Sequence, residues 1–374
     1  MKITLLICLL IISSALASPV LQMNRAFMAL SELIPYLSEE KKFKEKTNRV
    51  IVEKNIRELG QAFKDAKHAT VLKEDLFAPS YSVIRENLDQ SLTSFKKGDV
   101  DFAYWRLQEM TAQCLDCHTR LPPSYASSFQ NGEMVIDTTK FKDPYDLGIA
   151  QMIVRRYAEA KASFTRSIQD KLIKEDEMDI DRPFKQILLM GTKVLKDPEN
   201  QIAFFSDYLK NERLSPEIKE LLSLWVGDLK EWKNEPALNS GFSTDQEVEK
   251  FINKRLKPLT VQMLFDGSRD VDLLLASGLL SHYFFQNPNT KLAPDLSFWL
   301  GWAEIYLKRE DFFGSGDRFL KQCIRRYPKH PMAKQCFEHY KENVEFEFSG
   351  SRGANIPSDM KEELKELESL LPKK

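Results

Sequence analysis

Cys114, Cys117 and His118 stand together as Cys-Leu-Asp-Cys-His. Two thiols at this spacing, followed at once by an imidazole, can add to the two vinyl groups of a haem and supply the iron's proximal ligand. Cys-x-x-Cys alone also serves redox dithiols and zinc sites. A thioredoxin-like pair follows a strand and opens a helix, whereas this pair closes one. Zinc asks for a fourth ligand, and the chain has no second Cys-x-x-Cys and no His-x3-His. The pattern points to one covalently bound haem c, with Cys114 and Cys117 as anchors and His118 on the iron.

The helix that must present these groups is legible. Val100, Ala103, Leu107, Met110, Cys114 and Cys117 alternate spacings of three and four, so both thiols continue one apolar seam. His118 lies one turn beyond Cys114 and faces nearly the same side. Pro122 and Pro123 stop the helix. Three helices are predicted before it. Val20, Met23, Phe27, Leu30, Ile34 and Leu37 mark the first, which Pro35 should bend or end. Ile56, Leu59, Phe63 and Ala66 mark the second; Tyr81, Ile84, Leu88, Leu92 (displaced by one) and Phe95 mark the third. Gly98-Asp99 reads as a C-terminal glycine followed by an N-cap. Four amphipathic helices on short loops predict an antiparallel bundle.

The N-terminus reads as an export signal. Lys2, an apolar run from Ile3 to Ile12 and Ala15-Leu16-Ala17 make a basic region, a short hydrophobic region and a small-x-small cleavage site. The run is too short for a comfortable membrane span. Cleavage after Ala17 discards Cys8 and leaves Ser18–Lys374 with no stable membrane span. Bacterial haem c is attached outside the cytoplasm, so the signal and the motif agree on a periplasmic protein.

With the helices and the motif in place, residues 18–125 resemble the class II c-type cytochromes, the cytochrome c-prime group and its low-spin relatives. The resemblance implies a four-helix bundle with the haem motif near the end of the fourth helix. In low-spin members it also implies a methionine ligand from the first helix. Met23, on the seam, is the favoured distal ligand and Met28, one position off it, the runner-up; either could instead be an ordinary core methionine. Arg25 and Arg120 could meet haem propionates but read more simply as exposed arginines. His68 falls at the end of the second helix, away from the distal position, and reads as a solvent-exposed histidine. Methionine ligation closes the iron and suits electron transfer. A vacant sixth position would instead bind a small gas such as nitric oxide, with the rest of the chain as scaffold or signalling module.

A chain of 374 residues is too long for one such bundle. Residues 126–142 read as a linker. Beyond it Leu147, Gly148, Ala160 and Phe164, with Tyr157 at the turn, resemble part of a tetratricopeptide repeat. Leu300-Gly301, Gly316, Leu320, Cys323 and Pro328 resemble it again. Helices are predicted over Phe184–Lys196, Asn200–Lys210, Ser215–Trp232, Glu247–Leu264, Asp270–Phe285 and Asp295–Leu307. The second domain, 143–346, is therefore read as a tetratricopeptide-like helical array that docks a redox partner protein or peptide. Residues 347–374 add a capping helix, Met360–Leu371. The fold class is all-α throughout.

Cys323 and Cys336 lie on successive predicted helices, where a disulfide or two buried thiols are equally open readings. With 54 Lys and Arg against 55 Asp and Glu the net charge is −1, which points to neither nucleic acid nor a basic membrane patch. The lysine-rich stretch Glu40–Lys46 reads as a solvated helix face. His282, His330 and His339 belong to no ligand cluster. No phosphate loop, hydrolase elbow or paired-carboxylate signature appears, and a peroxidase would want distal acid-base residues that the sequence does not offer, so no enzyme is expected. Class II cytochromes are often dimers, which leaves a homodimer open.

Overall fold

The computed structural model describes residues 19–121, 136–174, 179–260, 267–350 and 353–372. The N-terminal stretch that reads as an export signal, Pro122-Pro123 and residues 126–135 of the expected linker lie outside them, as does the side chain of His68. Apart from a two-residue antiparallel ladder, Ser349–Gly350 with Gly353–Ala354, every regular element among the described residues is helical. The chain clusters into two compact units, Met1–His118 with Pro123–Gln169, and Thr119–Pro122 with Asp170–Lys374.

In the first unit α1 (Pro19–Leu37), the short α2 (Glu40–Lys44), α3 (Arg49–Asp65), α4 (Ala78–Lys97) and α5 (Val100–Arg120, of which the last two residues belong to the second unit) follow in order. Helix α1 packs along α3, and α3 along α4. Each buries the stripe its periodicity sets: Phe27, Leu30, Ile34 and Leu37; Val52, Ile56, Leu59 and Phe63; Ile84, Leu88 and Phe95; Ala103, Leu107, Met110 and Cys114. Helix α1 ends two residues beyond Pro35, late enough that the missing N–H removes only one hydrogen bond. The third stripe passes through Ser91 rather than Leu92. Ser91 can sit there because its hydroxyl donates back to the Asn87 carbonyl at 2.7 Å. Gly98 caps α4 at φ +91°, and Asp99 Oδ1 accepts from the Phe102 N–H at 3.4 Å. The lysine-rich α2 is solvated on one face only, since Phe43 is buried against Phe95 and Tyr104.

The hairpin α6 (Pro144–Ile153) and α7 (Tyr157–Lys174) follows, and its residues up to Gln169 cluster with this first unit, although its sequence reads as part of the second domain. The cause is local: α6 packs on α1, and Lys142 pairs with Glu39 at 3.3 Å. Within the hairpin a Cβ on Gly148 would stand 2.5 Å from the Phe164 ring, so only glycine permits this approach.

The second unit holds α8 (Asp181–Leu189, continuing as a π-helical turn Met190–Leu195), α9 (Pro198–Tyr208), α10 (Pro216–Lys233), α11 (Pro236–Ser240) and α12 (Asp245–Phe251, continuing as a π-turn Ile252–Leu256). Then come α13 (Asp270–Gln286), α14 (Ala293–Arg309), α15 (Gly316–Arg326), α16 (Pro331–Glu347) and α17 (Ser358–Leu370). Ser215 caps α10 ahead of Pro216. The core is built on Trp225, Trp232, Phe205, Leu274 and Leu300, none with measurable exposure. Helix α17 lies on α15 and α16 through Leu367, with Tyr340 donating to Glu363 at 2.7 Å. Cys323 and Cys336 are joined by a disulfide with their Cα atoms 6.4 Å apart.

Candidate metal centre

Cys114, Cys117 and His118 fall in the last two turns of α5. That helix is held where its sequence leads it. The Tyr104 hydroxyl and the Gln108 amide both donate to the Leu37 carbonyl at the end of α1, at 2.8 and 3.2 Å, and Arg106 donates to Asn87 Oδ1 on α4 at 3.1 Å. Cys114 is buried, and burial pushes its thiol up to about 12, with the neighbouring Cys117 adding to the shift. Cys117 is half-buried.

His118 is oriented by a group the sequence did not announce. Its Nδ1 lies within hydrogen-bonding distance of the Ile153 carbonyl at the end of α6. A carbonyl only accepts, so Nδ1 carries the proton and the lone pair of the neutral ring falls on Nε2. Burial drives the imidazole down to about 4 despite the carbonyl, and the Arg155 charge works in the same direction as burial. Neutral imidazole with one nitrogen committed to a carbonyl is the form in which histidine binds a metal through the other.

Arg155 is the second unannounced group. Its guanidinium donates to the His118 carbonyl at 3.2 Å and lies 5.8 Å from the centre of the Tyr157 ring. Arg155 is 3 % exposed. It terminates α6 as a Schellman cap: the Arg155 N–H meets the Met152 carbonyl, the Arg156 N–H meets the Gln151 carbonyl, and Arg155 takes φ +63°. Glycine is usual there; a side chain costs roughly 1–2 kcal/mol. The Tyr157 hydroxyl is buried with no hydrogen-bond partner among the described residues.

The donor set fits a haem. Among the described residues no three His, Cys, Asp or Glu converge to hold a metal by side chains alone. A porphyrin supplies four of the iron's donors itself and asks the protein for one or two. The buried Tyr157 hydroxyl is a group that a haem propionate would satisfy. Met23 stands half-buried on α1, whereas Met28 is 49 % exposed. His68 closes the turn after α3.

Both arginines considered for propionates are engaged elsewhere. Arg25 pairs with Asp65 at 2.8 Å near the surface. Arg120 is not exposed as expected. It is buried in the second unit, with Nη2 at 2.7 Å from Glu304 Oε2 and its guanidinium over the Phe319 ring. Glu304, itself fully buried, also accepts from Ser277 at 2.9 Å and the Ser315 N–H at 3.0 Å, with Lys193 at 3.5 Å. The signal was present: Glu304 is the only charge between Leu296 and Leu307, and Lys193 the only one between Ile187 and Leu195. His330 caps α16, His282 Nδ1 lies 3.2 Å from Lys196 Nζ, and His339 stacks beside Tyr306. No described helix is long and apolar enough to cross a membrane. Compared with protein-family models, curated proteins and solved structures, the chain matches none.

Proposed function

We propose that this chain is a periplasmic monohaem c-type cytochrome of the class II type. Its four-helix bundle carries the haem, and its tetratricopeptide-like helices dock a redox partner protein or peptide. The observation that carries the reading is the state of His118. It follows two thiols on one helix face and is held neutral with Nδ1 on the Ile153 carbonyl. Haem would supply one-electron exchange between ferric and ferrous iron. The protein would anchor it through Cys114 and Cys117, ligate it through His118, and close its distal side with Met23, which the exposure of Met28 favours. The Cys323–Cys336 disulfide suits an oxidising compartment outside the cytoplasm.

The test is the absorption spectrum of the full chain made in a host competent for cytochrome maturation. A low-spin ferric spectrum is expected, turning high-spin in Met23→Ala, with rapid carbon monoxide binding once that variant is reduced. A wild-type protein already high-spin would put a five-coordinate, gas-binding haem in place of electron transfer. A colourless product would remove the haem.

A further inference from the structure

Arg155 occupies a backbone position that glycine takes at little cost, and it keeps its side chain buried there. Neither helix propensity nor solvation accounts for that choice. What the side chain reaches does: the carbonyl of His118, with the Cys117 and His118 rims within range of its charge. Two residues earlier in the same turn, the Ile153 carbonyl takes His118 Nδ1. One turn thus grips the histidine twice, at its ring and at its backbone.

We infer that Arg155 is a positioning residue for His118, fixing the end of the ligand helix so that the imidazole presents one nitrogen in one orientation. Its buried positive charge beside that ligand disfavours the ferric over the ferrous state and raises the reduction potential. The grip on His118 is a property of the polypeptide; its effect on potential rests on the haem reading above.

Three variants separate charge from backbone. Arg155→Gln removes the charge and keeps a donor. Arg155→Gly removes both side-chain roles and relieves the left-handed backbone. Arg155→Lys keeps the charge. Spectroelectrochemistry of the holoprotein should give a lower potential in Gln and Gly alike, with Lys restoring most of it. A purely structural role would instead follow thermal stability, in which Gly and Gln differ. The grip itself is read without haem, in the Cys114→Ala, Cys117→Ala protein, from the nitrogen NMR shifts of His118. The parent should show one Nδ1-protonated tautomer, and Arg155→Gly, which removes the donor to the His118 carbonyl, should broaden it or mix the tautomers. Unchanged shifts in the Gly variant overturn the positioning role. An unchanged potential overturns the charge role. A colourless wild type removes the haem reading alone, and the nitrogen shifts still decide whether Arg155 orders the ring.

Discussion

At the scale of single residues, Glu304 carries the largest local risk. Burial alone would raise its carboxyl, yet the Arg120 guanidinium and the Lys193 ammonium hold it down at about 2. One carboxylate thus serves two buried cations, and the Ser277 hydroxyl and Ser315 N–H complete its shell. Replacing a buried ion pair wholesale can be neutral, but removing one partner leaves an uncompensated charge. Glu304→Ala should therefore destabilise the second unit by about 3–5 kcal/mol, measured by urea unfolding followed through tryptophan fluorescence. Four of the five tryptophans, Trp225, Trp232, Trp299 and Trp302, lie in that unit. Glu304→Gln, which keeps hydrogen bonding and loses charge, should fall between. A loss under 1 kcal/mol in the alanine variant would mean that water reaches the cations.

At the scale of elements, one close joint is the crossing of α14 and α15. A Cβ on Gly301 would stand 2.6 Å from the Leu320 side chain, and one on Gly316 would stand 2.3 Å from the Gly301 carbonyl. Gly301→Ala meets first the Leu320 side chain, with the Gly316 carbonyl next at 3.1 Å. Gly316→Ala meets backbone, so the helices must separate. Gly316→Ala should cost about 1–3 kcal/mol and more than Gly301→Ala, by thermal unfolding. Equal losses would mean that the hairpin slides freely. The disulfide from α15 to α16 closes a short loop, and Cys336→Ser should cost about 2–4 kcal/mol of stability, read by the same thermal unfolding. This crossing also shows what the sequence could tell. Gly301, Gly316 and Leu320 were readable as a helix pair because small-against-large packing has a fixed spacing. The stripes on α1, α3 and α5 were readable for the same reason, and the Cys-x-x-Cys-His segment stood out because helical period and thiol spacing coincide in Cys114. Arg155 and the Ile153 carbonyl were not readable. A carbonyl carries no side-chain signature, and an arginine at a helix end ordinarily signals only solvent. The burial of Arg120 was missed because its partner lies 184 positions away.

At the scale of the whole molecule, two buried acids bend the stability profile in opposite directions. Asp270 accepts from Trp225 Nε1 at 2.9 Å through one oxygen, while the other has no partner among the described residues. Burial raises it to about 8, the Trp225 bond and Lys185 oppose that, and Glu310 and Asp228 add to it. Asp228 is raised to about 7 by burial and then by Asp272. The native state therefore holds protons that the unfolded chain has shed near its ordinary carboxylate pKa of about 4. Where the native state binds more protons than the unfolded one, stability falls as pH rises, here between about 4 and 8. Glu304 acts inversely: its contribution is complete above the unfolded carboxylate pKa and is lost as pH falls toward about 2. Together they place the stability maximum on the acid side of neutrality, near about pH 4, where the rise from Glu304 ends and the decline from Asp228 and Asp270 begins. Asp270→Asn removes the titration and keeps the acceptor for Trp225. It should flatten the alkaline limb, gaining about 1–3 kcal/mol over wild type near pH 8 and nothing near pH 4. Urea unfolding across that range decides it; parallel profiles for the two proteins would show that Asp270 is ionised in the native state and that the alkaline decline has another source.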